Sequence, residues 1–136
     1  MKATELQIGD LVKIKGHLDY DKVQEIARDE NMQWYISFAC SATLFRAYEF
    51  EPIPLTPEIL EKNGFGFVKS SDRDSVWNGW WINKGLELAT ACLDKEGNWP
   101  CYINIYDSNI KCEYVHQLQH ALRLCGLDEL ADNFKV

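Results

Sequence analysis

The amino-acid sequence predicts an α+β protein, and three observations carry that prediction. Short runs of β-branched and aromatic residues alternate with polar ones and are separated by Gly, Asn, Asp and Pro, which is the pattern of strands and turns. Residues 55–64, Leu-Thr-Pro-Glu-Ile-Leu-Glu-Lys-Asn-Gly, carry helix-capping residues at both ends. Residues 114–125 repeat apolar side chains at helical spacing. Together they predict an SH3-like β-barrel module over 1–54, a linking helix, and then an antiparallel β-meander packed by a C-terminal helix, so that 55–136 forms the second part of one compact unit.

Residues 6–15 hold Leu6, Ile8, Leu11, Val12 and Ile14 around a Gly9-Asp10 break, which reads as a first strand with a bend feeding it. Strands are expected at 22–28 and 33–39, with 29–31 turning between them, and a shorter one at 48–53, stopped by Pro52 and Pro54. In the linking helix Thr56 is the N-cap and Pro57 takes the first helical position, where its missing N–H costs nothing. Glu58 complements the helix dipole, and Gly64 suits a left-handed cap. The meander is expected as strands over 65–69, 76–82, 86–93 and 98–106, with turns at 70–75, 83–85 and 94–97. A last helical turn or two is expected over 127–134.

An apolar share of 46%, with five Trp, six Tyr and six Phe, is enough for a core without metal or disulfide staples. The five cysteines, Cys40, Cys92, Cys101, Cys112 and Cys125, make no C-x-x-C pair, a pattern that fits reduced thiols in a cytosolic chain. The first twenty residues hold no apolar signal segment, and no apolar run nears the ~20 residues of a membrane span, so a soluble, cytoplasmic protein with no membrane contact is expected. A formal net charge of −7, with basic residues scattered, disfavours a nucleic-acid partner, because phosphate neutralisation dominates such binding.

Two constellations are candidates for function. His116 and His120 sit at H-x-x-x-H spacing, but Gln117 stands where a zinc-peptidase helix has its glutamate base, and an amide takes no proton from water. At about 100° per residue, Val115, Leu118, Ala121, Leu122 and Cys125 share one arc. His116, His120 and Arg123 then fall opposite, on an expected solvent face able to contact a partner. The positive charge of Arg123 one turn from His120 opposes a divalent cation. The second constellation is aromatic: Trp77, Trp80 and Trp81 with Trp99, Tyr102 and Tyr106, residue types that dominate binding hot spots and also fill cores.

No G-x-S-x-G, phosphate loop or paired carboxylate spacing is present, so neither catalysis nor a cofactor is expected. At residues 1–12, 51–65 and 114–120 the chain resembles a family of small bacterial proteins of gut anaerobes, often encoded in phage or mobile-element regions, for which no activity is assigned. The resemblance implies a shared fold and an accessory role. The expectation is therefore a non-catalytic protein-interaction module contacting an unidentified protein partner through Trp77, Trp80, Trp81, Tyr102, Tyr106, His116, His120 and Arg123. The alternatives are a metal-binding protein using His116 and His120, or a nucleic-acid-associated SH3-like factor.

Overall fold

The computed structural model describes residues 2–38, 41–46, 49–69, 78–83, 87–92, 101–105 and 108–136. The chain divides into two compact units, Met1–Ile53 and Pro54–Val136, each with a five-stranded antiparallel sheet. The α+β class is as expected. The expected turns at 70–75 and 94–97, together with Trp77, Trp99 and Tyr106, lie outside the described residues.

The first unit opens with a single 3-10 turn, Ala3–Glu5, before β1 (Leu11–Ile14). The expected strand over 6–15 is thus shorter, and Ile8 is exposed rather than core-facing. The cause is the Gly9-Asp10 break. Gly9 takes φ +91°, and the wholly buried Asp10 uses its carboxylate to accept the Gln7 N–H at 2.7 Å, which winds the chain into a turn. Pairing begins there: Gly9 N–H donates to Val23 O at 2.7 Å and Val23 N–H donates to Asp10 O at 2.8 Å.

The long strand β2 (Tyr20–Arg28) pairs with β1 through its first residues and with β3 (Trp34–Phe38) through the rest. A register shift between Val23 and Glu25 marks where it bends from one ladder to the other. At the β2–β3 turn the Asp29 carboxylate accepts the N–H groups of Asn31 and Gln33 at 2.9 and 2.8 Å, and Met32 takes φ +61°. β4 (Ser41–Arg46) follows, and β5 (Phe50–Glu51) returns to pair with β1, giving the order β4-β3-β2-β1-β5. β4 was not expected. Leu44 points out, half exposed, while Phe45 packs on the core, so the polar-apolar alternation is lost on the solvent side. Phe38, Phe45 and Phe50 meet with ring centroids 5.4–6.1 Å apart, in one cluster with Val12, Val23, Ile36, Ala3 and Leu6.

In the second unit α1 (Pro57–Lys62) has the caps read from the sequence. Thr56 Oγ1 accepts the Ile59 N–H at 3.4 Å, and Gly64, at φ +82°, ends the helix. The Phe65 N–H reaches back to Leu60 O and the Gly64 N–H to Glu61 O, the paired bonds of a Schellman motif, with Phe65 and Leu60 both buried. The meander is β6 (Gly66–Lys69), β7 (Asn78–Asn83), β8 (Glu87–Cys92), β9 (Cys101–Ile105) and β10 (Ser108–Cys112), paired in chain order. β10 was also not expected, because Ser108-Asn109 reads as turn chemistry. Its register nevertheless puts Ile110 opposite Ile103 and Cys112 opposite Cys101. α2 (Val115–Leu124) packs on β10, and α3 (Asp128–Asp132) packs on α2.

Candidate functional site

The histidine helix begins with the residue that decided its chemistry. Gln117 Oε1 accepts the N–H of Glu113 at 2.7 Å and that of Tyr114 at 3.2 Å, so it closes the helix N-terminus as the third residue of a capping arrangement. The position that would hold a catalytic base is spent on main-chain donors.

The expected solvent face of α2 is corrected by the structure. His116 is only 3% exposed and Gln119 is wholly buried, while His120 and Arg123 are half-buried. For Gln119 and Arg123 the reason lies after the helix. Gly126, at φ +73°, makes a second Schellman turn, with Leu127 N–H donating to Leu122 O and Gly126 N–H to Arg123 O. This turn sends α3 back along the polar side of α2. Gln119 Nε2 then donates to Ala131 O at 2.8 Å, and the Arg123 guanidinium meets the Asp132 carboxylate at 3.1 Å. Helical periodicity found the apolar arc but not this second neighbour, and Gly126 was the signal that could have revealed it.

His116 stacks on Tyr114, with centroids 5.9 Å apart and planes at 8°, and meets His120 edge-on at 5.9 Å. The imidazoles are neighbours, yet among the described residues no group of three His, Cys, Asp or Glu side chains is placed to hold a metal ion. Burial pushes the Cys125 thiol, at the end of the same helix, above its usual pKa, which favours the inert protonated form.

For the aromatic candidates the backbone register is informative. Trp80 lies opposite Phe67 and Thr90, Thr90 opposite Ile103, and Ile103 opposite Ile110, so one row crosses all five strands on one face. Trp81 and Tyr102 belong to the other face, with Ala89, Ala91, Asn104 and Lys111 as their partners in register. Adjacent residues of one strand alternate between faces, which separates Trp80 from Trp81, but only the register aligns the five strands. Both ends of the Trp80 row are exposed, Phe67 at 47% and Ile110 at 37%. Two positions along β10 on the same face, Cys112 is wholly buried.

A cleft of about 480 Å³ was not foreseen. It lies between the end of α1, the Gly126 turn and α3, with Lys62, Asn63, Leu130 and Lys135 in its wall. The Asn63 amide is committed to main chain there, donating to Ile59 O at 2.7 Å and Lys135 O at 2.8 Å and accepting the Lys135 N–H at 2.8 Å. That clamp fixes the C-terminal residues to α1, and the cleft is the space left beside it.

No helix is long and apolar enough to cross a membrane among the described residues. Comparison of the chain with protein-family models, with curated proteins and with solved structures finds no match.

Proposed function

We propose that this chain is a non-catalytic protein-interaction module, and that its contact surface is the sheet face carrying Phe67, Trp80, Ile103 and Ile110. The observation behind this reading is the row across the second sheet with both described ends exposed. A sheet with one apolar face stabilises itself by covering that face. Here α2 and α3 spend much of their contact on each other, through Gln119 and Arg123, and the row ends remain open to solvent. Exposed apolar side chains at the ends of one row suit an association site, and Trp80, next to the Phe67 end, is of the residue type that supplies the large buried area of a hot spot. The net charge of −7 favours a partner whose apolar contact is rimmed by Lys and Arg.

In this reading the first unit is an SH3-like module. The order β4-β3-β2-β1-β5, with the last strand returning to the first, supports that assignment. The family resemblance favours a cytoplasmic accessory factor acting on a host or phage protein. The test is capture from a host lysate after nuclease treatment, using wild-type chain and a Phe67→Ser, Ile110→Ser double variant. A partner retained by the wild type and lost by the folded double variant supports the reading. Equal capture by both removes this face from it.

A further inference from the structure

The sheet register assembles something the sequence scatters. Cys92 is the Cα partner of Cys101, and Cys101 is the Cα partner of Cys112, so three cysteines form one row across β8, β9 and β10. In the sequence they stand apart without any C-x-x-C spacing, which is why they read as unrelated small apolar residues.

Directly opposed residues in antiparallel strands have Cα atoms about 4.5–5.5 Å apart. A disulfide spans Cα separations of about 4.4–6.8 Å. Both neighbouring pairs therefore fall within the Cα range, and the pair at the non-hydrogen-bonded position, whose Cβ atoms come closer, bridges with the smaller adjustment. The outer pair falls outside that range: two strand spacings put Cys92 and Cys112 about 10 Å apart, beyond bridging reach. Cys112 is wholly buried and forms no disulfide.

We propose that Cys92, Cys101 and Cys112 form a thiol–disulfide exchange site that takes low-molecular-weight disulfides as oxidant, with Cys101 the shared member of either bridge. The Cys101 thiolate attacks one sulfur of the external disulfide; the S–S bond breaks, a mixed disulfide forms, and one thiolate leaves and is protonated. The thiolate of Cys92 or Cys112 then attacks the Cys101 sulfur and displaces the second external thiol. Two protein thiols are oxidised to one disulfide and the external disulfide is reduced to two thiols, which carry away the two protons. The remaining cysteine can attack the Cys101 sulfur and move the bridge along the row with no net redox change. In a reducing compartment the row rests as thiols and records a rise in oxidant.

The full chain, reduced and then equilibrated with oxidised glutathione, is quenched by alkylation under native conditions and mapped by mass spectrometry. Loss of two thiols per chain is expected, with Cys92–Cys101 and Cys101–Cys112 peptides and no Cys92–Cys112 peptide. Cys101→Ser should abolish both bridges, Cys112→Ser should leave the first, and Cys92→Ser the second. If all five thiols stay reduced, or bridging to Cys40 or Cys125 predominates, the site is refuted. A Cys92–Cys112 bridge in wild type overturns the register argument. The wild-type map decides the matter even if Cys101→Ser fails to fold.

Discussion

In the first unit, three phenylalanines from β3, β4 and β5 converge within 5.4–6.1 Å, and the chain's own first turn, through Ala3 and Leu6, packs on the same cluster. In the second, a sheet with the same number of strands carries a row of Phe67, Trp80, Thr90, Ile103 and Ile110 whose ends are exposed, while its helices are tied to each other and to main chain by side-chain amides. The first unit places its large side chains in a core built from residues distant in sequence. The second adds, in its helical part, caps and clamps around a core of Ile59, Leu60, Phe65, Val115, Leu118, Leu122 and Phe134. Equal strand number therefore does not imply equal packing, and the exposed ends of the second row are the basis of the contact surface proposed above.

The comparison breaks most directly at Phe38, which is 1% exposed and touches both other rings. Phe38→Ala should destabilise the first unit by about 3–5 kcal/mol, through lost transfer energy and the cavity left behind. Denaturant unfolding followed by Trp34 fluorescence would show it; a loss under about 1 kcal/mol would mean that the aromatic cluster is not the unit's anchor. In the second unit, Asn63→Ala removes three main-chain hydrogen bonds and should cost about 1–3 kcal/mol. Hydrogen exchange at the Lys135 amide should accelerate together with that loss. Unchanged exchange there would show that the C-terminal residues are held by something other than the clamp.

Smaller effects sharpen the contrast. At Gly126 a Cβ would meet nothing within 4 Å, so Gly126→Ala isolates the cost of the left-handed backbone, about 1–2 kcal/mol. The denaturation midpoint should fall with unchanged slope, and Gly126→Asn should recover part of the loss. A neutral alanine would mean that the turn to α3 tolerates another geometry. Phe67→Ser and Ile110→Ser, by contrast, should each change stability by no more than about 0.5 kcal/mol, as exposed positions do. A large loss at either would place the row inside a core instead of at a contact surface.

What was legible in the sequence follows the range of the interactions. Thr56, Pro57 and Gly64 act on their own helix within a few residues, and α1 is where they predict it. The Gly9-Asp10 bend is likewise local. β4 and β10 were missed because their in-out pattern makes sense only against neighbouring strands: Phe45 against Ile36, and Cys112 against Cys101. The site was less legible for the same reason. His116 sits on the polar arc of an isolated helix and is nevertheless buried, and Gln119 on the same arc is buried where Gly126 returns α3 against it. Gln117 was read only as a missing base, and its use as a cap depends on the conformation of Glu113 and Tyr114.

The smallest effect belongs to the cap of α1 and tests whether the second unit is held by local polar contacts. A hydrogen bond from the Thr56 side chain, and then one from the Glu58 main-chain N–H, hold the Glu58 carboxyl below its usual pKa, outweighing a slight opposing effect of burial. A carboxyl depressed in the folded state stabilises that state above its unfolded pKa. The contribution fades as pH falls from that value through the lower folded one. Glu58 is fully exposed, so solvent and salt screen the interaction, and the clear readout is the titration itself. In Thr56→Ala the Glu58 carboxyl, followed by NMR, should titrate closer to its ordinary value, and the weak acid dependence assigned to it should shrink. An unmoved titration curve would transfer the shift to the backbone N–H and leave Thr56 with only its bond to Ile59.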